Sequence, residues 1–195
     1  MTHSSALEKV HKKGLFGDYE NKNEDKLIKI SEEKDFLILQ IAQYKNSLIS
    51  VHNIKVDGLV FNNESLKVAC NNDTRILWVG PKNWLLISRK KDLLKNIFES
   101  LKETDFAITD LSHSRAIIEL EGENSKEILK KGCPFNFDEL KKDSCLNSVF
   151  HGISITIDMI NDNPNKIRLF ALRSFGESLY DSITDSCLEY GYKNL

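Results

Sequence analysis

Apolar and polar positions alternate along this chain in two stretches of the same order, preceded by a polar lead. Residues 1–34 are rich in Lys, Glu and Asn, with Leu7, Val10, Leu15 and Phe16 as the early apolar group. A segment of that composition does not bury enough apolar surface to fold alone, so it predicts a loose tail or an arm that packs onto something else. At Phe36 the pattern changes. Leu37, Leu39 and Ile41 alternate with Ile38, Gln40 and Ala42, a period of two that predicts a strand. Residues 44–52 are a shorter segment, helical in part. Residues 66–70 and 75–79 read as strands, and Gly80-Pro81-Lys82-Asn83 reads as a turn, since Pro presets one dihedral while Gly and Asn tolerate the corner. Residues 84–88 then complete a hairpin. Leu93, Leu94, Ile97, Phe98 and Leu101 follow at helical spacing.

The second stretch replays this order. Ala116, Ile118 and Leu120 face one way, with Glu119 and Glu121 opposite. Asn124 with Glu127 suits a helix start, and Gly132 suits its stop. Residues 148–151 and 153–157 read as strands around Gly152, residues 162–165 as a turn, and 166–172 as a further strand. Ser174 and Glu177 form a capping-box pair opening a last helix, whose stripe is Phe175, Leu179, Ile183 and Cys187 and whose stop is Gly191. Laying Phe36–Ser100 over Arg115–Ser186 matches strand with strand and helix with helix, displaced by roughly 80 to 85 residues. The expected fold is α+β: a polar arm over 1–34, then one domain over 35–195. That domain is a duplicated strand-helix-strand module with pseudo-twofold symmetry, its halves spanning about 35–105 and 106–195.

Composition narrows the function classes. A chain of 195 residues with 41% hydrophobic and 29% charged residues fits a folded globular protein. Its net charge is −2 and its Lys residues are interleaved with Asp and Glu, without the basic stripe of a nucleic-acid binder. Apolar runs fall short of the roughly 20 residues that cross a bilayer, and the polar first residues lack the apolar core of a signal peptide. The four cysteines, Cys70, Cys133, Cys145 and Cys187, form no Cys-x-x-Cys pair and fit reduced thiols in a cytoplasm. No nucleic-acid or membrane partner is expected.

Candidate chemistry is sparse. The sequence has no dinucleotide glycine turn, phosphate loop, nucleophile elbow or zinc helix, so no cofactor or metal is expected in this chain, and no catalytic residue is assigned. Asp110, Ser112, His113 and Arg115 put a carboxylate, a hydroxyl, an imidazole and a guanidinium in one loop entering a strand. Asp110 orienting His113 beside an activated serine is one reading. The other is structural: Asp and Ser satisfy loop backbone groups, and Arg115 pairs with a carboxylate. Cys133 follows a helix C-terminus, where the dipole disfavours a thiolate, so it reads as a structural cysteine. Arg173 precedes the last helix, where it holds an anion or makes a surface ion pair.

Thr109–Arg115, Glu121-Gly122, Lys131-Gly132-Cys133-Pro134 and Arg173-Ser174-Phe175 stand in an ordered series. So do Ile76–Pro81 with Trp84–Ile87, and the closing Tyr190-Gly191-Tyr192, with Ser5-Ala6-Leu7 as a short N-terminal motif. In order and spacing the series resembles the gamma subunit of heterotetrameric sarcosine oxidase, a distant and trimmed relative of the T-protein folate-binding fold. The resemblance implies a structural, non-catalytic subunit in an alpha-beta-gamma-delta complex, docking mainly on the alpha chain. Such complexes demethylate sarcosine to glycine, make hydrogen peroxide and pass the one-carbon unit to tetrahydrofolate. FAD, FMN, NAD, folate and zinc are then expected in the partner subunits. The six residues Asp110, Ser112, His113, Arg115, Cys133 and Arg173 become candidate interface or structural positions. Lys131-Gly132-Cys133 also resembles the signature of T-protein-like folate proteins, which leaves a stand-alone folate-binding or one-carbon transfer protein as an alternative. A cysteine-dependent enzyme using Cys133 and His113 is the third.

Overall fold

Short runs of Ile, Leu and Val, broken every few residues by Gly, Asn or Asp, favour strands over long helices. The computed structural model describes residues 5–195. In chain order the elements are β1 (Gly14–Phe16), β2 (Ile28–Glu32), β3 (Leu37–Gln43), β4 (Lys55–Val56), β5 (Leu59–Val60), β6 (Val68–Cys70), β7 (Thr74–Gly80), β8 (Asn83–Ser88) and α1 (Leu93–Ser100). There follow β9 (Phe106–Asp110), β10 (Arg115–Glu121), α2 (Ser125–Lys130), β11 (Ser144–Phe150), β12 (Ile153–Asp162), β13 (Asn165–Leu172), α3 (Gly176–Cys187) and β14 (Tyr192–Asn194). The fold is mixed α+β. The helical character expected within 44–52 is limited to a 3-10 turn starting at Val51.

The chain divides into two compact units. One holds the chain up to Lys34, Ser114–Lys142 and Asn147–Leu195; the other holds Asp35–His113 and Asp143–Leu146. The division therefore does not fall at 105/106. Strand β9 precedes β10 in sequence but pairs antiparallel with β3, while β2 precedes β3 but pairs antiparallel with β10.

Residues 5–34, the described part of the expected arm, are not separate from the domain either. In its described part, β2 is an interior strand of a seven-stranded sheet ordered β1-β14-β2-β10-β13-β12-β11. Leu7, Leu27, Ile28 and Ile30 are buried. The alternation of Ile28 and Ile30 with Lys29 and Ser31 is a strand signal only two repeats long. The surrounding charge hides it, and its hydrogen-bond partners lie about 90 residues further along the chain.

The second unit has a five-stranded sheet ordered β6-β7-β8-β3-β9. Within the first unit, β11-β12-β13-β10-β2 repeats that order, and α3 follows β13 as α1 follows β8. In the second unit Leu37, Leu39 and Ile41 of β3 bury against Trp84, Leu86 and the Leu93–Ile97 stripe of α1. Trp84 meets Phe61 edge-on at 5.2 Å and donates its indole N–H to the Asn62 carbonyl at 2.7 Å. In the first unit α2 and α3 pack on β10 and β13, burying Ile118, Leu120, Ile167 and Leu169 with Leu179 and Ile183.

Two expected helix caps do not form. Asn124 stands at the N-cap of α2 without a side-chain cap bond, and the position before α3 is Phe175, because Ser174 lies inside a 3-10 turn over Arg173–Phe175. Gly132 is not a left-handed stop. It is small because a Cβ there would come within 2.7 Å of the Phe150 ring. Gly17 and Gly191 do combine positive φ (+71° each) with close approach: a Cβ on Gly17 would meet the Leu188 carbonyl at 2.4 Å, and one on Gly191 the Asp18 carbonyl at 2.5 Å. These contacts hold the chain before β2 against the end of α3, where the Asp18 N–H donates to Leu188 O at 2.7 Å.

Asp57, between β4 and β5, organises polar groups of the second unit. Its carboxylate accepts from Lys90 Nζ at 2.8 Å and Thr74 Oγ1 at 2.6 Å, and Thr74 Oγ1, its own proton so used, accepts from Ser88 Oγ at 2.8 Å. The Lys90 and Thr74 bonds bring its pKa down to about 2. A depressed carboxylate stabilises the fold fully above its unfolded value near 4 and loses that contribution as pH falls towards 2. Asp57→Asn is expected to lower stability at pH 7 by about 1 kcal/mol, the solvent-screened end of the range for charged hydrogen bonds. Paired urea titrations at pH 7 and pH 3 check this: the gap between the two proteins narrows at pH 3.

Candidate functional site

The loop after β9 turns on a local hydrogen-bond set. Asp110 Oδ1 accepts from the Ser112 N–H at 2.9 Å and from Ser112 Oγ at 2.6 Å, and Ser112 Oγ accepts from the Ile38 N–H at 3.0 Å. Asp110 and Ser112 thus close a turn and tie it to β3. The serine proton points at a carboxylate, which suits a fastener and not an activated nucleophile. His113 is exposed and ends the second unit, whereas Arg115 opens β10 in the first. Sequence neighbours are here divided between two units.

Arg115 is half-buried, and burial pushes its pKa below the usual guanidinium value. The carboxylate expected to pair with it is not found: among the described residues no ion pair or hydrogen bond holds this side chain. Arg115 lines a cavity of about 420 Å³ with Ser154, Thr156, Phe170 and Leu172, all in the first unit.

Further along the same strands lies a group of charges the pattern of the chain does not announce. Glu119, on the strand face opposite Ala116, Ile118 and Leu120, is 6% exposed, Arg168 is 8% and Asp158 is 0% exposed. The register places Glu119 opposite Arg168 and Arg168 opposite Asp158. Arg168 donates to Glu119 Oε2 through Nε at 3.2 Å and Nη2 at 2.7 Å, and Lys166 Nζ meets Oε1 at 2.8 Å. Both carboxylate oxygens are thereby satisfied. Alternation identified the face, but only cross-strand register shows that opposite charges meet on it.

Arg173 is engaged with the N-terminal segment and with Ser114. Its Nη2 donates to the Ser5 carbonyl at 3.2 Å and its N–H to Ser114 O at 2.9 Å. The same short segment is held from the other side by Glu32. Ser5 Oγ donates to Glu32 Oε2, and the Ala6 N–H donates to Oε1 at 2.8 Å. Lys34 meets the same carboxylate at 3.0 Å. Burial opposes the charge on Glu32, yet the bonds from Ser5, Lys34 and Ala6 prevail and hold its pKa below the usual carboxylate value. Leu7 then inserts fully, 0% exposed, beside Gly176 at the start of α3, where a Cβ would meet Ala116 Cβ at 2.9 Å. Ser5-Ala6-Leu7 is a docked motif, with Glu32 as the partner the sequence did not point to.

Cys133 is buried just after α2, its N–H donating to Leu129 O at 2.9 Å. Burial pushes its thiol up to about 11, against a weaker opposing bond with Ser148. It lies in the first unit and His113 in the second. Cys187 is pushed up to about 12, again by burial. Among the described residues no three His, Cys, Asp or Glu side chains gather into a metal-holding group, and no helix is long and apolar enough to cross a membrane.

No family model matches the chain. Over 62 residues it is 34% identical to the sarcosine oxidase subunit gamma of Corynebacterium sp. (strain U-96) and 32% identical to that of strain P-1. The matched stretch spans 31% of this chain and 30% of each relative, so less than a third of their length is covered. In three dimensions the chain matches one chain of the heterotetrameric sarcosine oxidase from Corynebacterium sp. U-96 with a TM-score of 0.76 at 21% identity, covering 86% of this chain and 87% of that one. The chain resembles a sarcosine oxidase gamma subunit. It also matches the aminomethyltransferase T of the Bartonella henselae glycine cleavage system, with a TM-score of 0.57 at 11% identity, over 93% of this chain and 56% of that one. The gamma-like chain therefore shares its fold with part of a larger T-protein.

Two outcomes follow from this geometry. Arg168→Met removes the guanidinium from the buried Glu119 carboxylate and is expected to cost about 3 to 5 kcal/mol in a urea titration. Glu119→Gln keeps an acceptor for the guanidinium, and its cost is expected to be clearly smaller. For Cys133, a thiol shifted from 9.0 to about 11 has a thiolate fraction near pH 8 roughly a hundredfold below normal. Iodoacetamide labelling of the folded protein, mapped by mass spectrometry, is expected to leave Cys133 unmodified at pH 8, with reaction appearing only in denaturant.

Proposed function

We propose that this chain is the gamma subunit of a heterotetrameric sarcosine oxidase and serves it as a structural, non-catalytic subunit. The observation that carries the reading is the fold match across most of both chains, joined to sequence likeness with two gamma subunits. The local chemistry supports it. Polar groups of reactive type are engaged as fasteners: Ser112 by Asp110, Glu119 by Arg168 and Lys166, Glu32 by Ser5 and Ala6. The Cys133 thiol is held protonated at neutral pH.

In this reading the alpha, beta and delta chains are its partners, alpha foremost. The demethylation of sarcosine and the transfer of the one-carbon unit to tetrahydrofolate take place in those chains, which carry FAD, FMN, NAD, folate and zinc. The gamma chain contributes shape, and its exposed loop Asp110–His113 belongs to the candidate contact surface. The complex works in the cytoplasm.

Co-expression with the neighbouring oxidase chains, purified through a tag on this chain, tests the proposal. Recovery of a yellow complex with sarcosine oxidase activity is expected, with the chain inactive alone. Recovery of this chain alone, with full oxidase activity assembled without it, overturns the reading.

A further inference from the structure

Five arginines occur in the sequence. Four are engaged: Arg75 with Asp143, Arg89 over the Phe36 ring, Arg168 with Glu119 and Arg173 with the Ser5 carbonyl. Arg115 is the exception. Its guanidinium is half-buried on the face of β10, and among the described residues nothing holds it. A charge withdrawn from water without a partner costs free energy that a ligand can return.

The cavity beside it has the features of a binding site. Antiparallel registers set Arg115 beside Leu172, and Phe170 beside Thr156. Thr156 Oγ1 is fixed by its donation to Asn147 Oδ1 at 2.8 Å, and the Ser154 hydroxyl lies on the same wall. One wall is thus apolar and one carries hydroxyls, around about 420 Å³, within the range of small-molecule pockets. We propose that this cavity binds a small organic monoanion by its carboxylate, with Arg115 as the charged anchor and Phe170 and Leu172 against its apolar body.

Three considerations select that class. The guanidinium fork matches a carboxylate in two parallel hydrogen bonds. Arg115 is the one cation among the residues lining the cavity, and the other polar groups are neutral. A single positive charge balances a monoanion and leaves a phosphate dianion uncompensated. The volume is also several times that of one aspartate or glutamate side chain, which favours a free molecule over an acidic side chain of a partner. None of this depends on the proposed subunit role.

Calorimetric titration of the full chain with benzoate, benzamide and inorganic phosphate tests the site. Saturable benzoate binding in the roughly millimolar range is expected, with benzamide and phosphate at least about tenfold weaker. Arg115→Gln is expected to weaken benzoate at least about tenfold and Arg115→Lys less, because Lys keeps the charge and loses the fork. Arg115→Gln is also expected to melt no lower than the parent protein, since no internal partner is lost. Absent benzoate binding, binding that Arg115→Gln leaves unchanged, a preference for phosphate, or a clear fall in melting temperature each overturns the proposal. So does a chain that binds no benzoate but whose Arg115→Gln variant fails to join the oxidase chains, which would assign the cavity to a partner's acidic side chain. Failure of the parent chain to co-purify bears on the subunit role alone.

Discussion

The antiparallel pairing of β2 with β10 is the constraint on which the rest of the first unit depends. It joins Lys29–Glu121 through to Glu32–Ile118, two segments separated in sequence by Asp35–His113 of the second unit. Without it Ile28 and Ile30 would have no sheet to bury into, and β14, which runs parallel to β2, would lose its neighbour. Long-range pairing of this kind forms late, because its loop must close before any contact rewards it. Once formed, it brings Glu32 to the place where Ser5 and Ala6 can dock. The N-terminal segment is therefore ordered by a strand that itself depends on residues far down the chain.

The buried charges show how the same sheet tolerates polarity inside. Glu119, Arg168 and Asp158 sit on neighbouring strands at one level of the register, and Lys166 and Glu121 continue the line towards its exposed end. Such a group contributes little net stability compared with apolar residues of equal size. It does penalise other alignments: a slip of one residue would turn each charge to the opposite face, among aliphatic side chains. Arg115 stands on the same face of β10 without such a partner, and this contrast, not its mere presence in a loop, marks it.

The Cys133 and Cys187 thiols and the Ser112 hydroxyl sit in environments unlike that of an activated nucleophile. A nucleophile needs a base within reach and an environment that favours its charged form. Cys133 and Cys187 have the reverse environment, and Ser112 donates its proton into a turn. The fold matches a chain of a heterotetrameric sarcosine oxidase over 87% of that chain, and an aminomethyltransferase T over only 56% of that chain.

Local patterns in the sequence were enough to identify the hairpins at Gly80–Asn83 and Asp162–Asn165, the repeated strand order, and the apolar stripes of α1 and α3 apart from Phe98 and Phe175, which are about half exposed. Each of these depends on side chains within a few residues of one another. The ordered motifs likewise carried the family resemblance. What the sequence did not contain was the partner of each strand. The polar lead looked like an arm because β2 shows only two apolar repeats, and its role came from hydrogen bonds with β10. Alternation put Glu119 on the face opposite Ile118, but only register brought Arg168 and Lys166 to it, and Arg115 looked paired, whereas no ion pair or hydrogen bond holds its side chain among the described residues. Of the helix caps expected, Asn124 stands at its position without a side-chain bond, and Ser174 lies inside a 3-10 turn. Propensity and periodicity act along the chain, whereas register, burial and charge pairing act across it, and only the folded sheet brings those distant groups within a few ångströms.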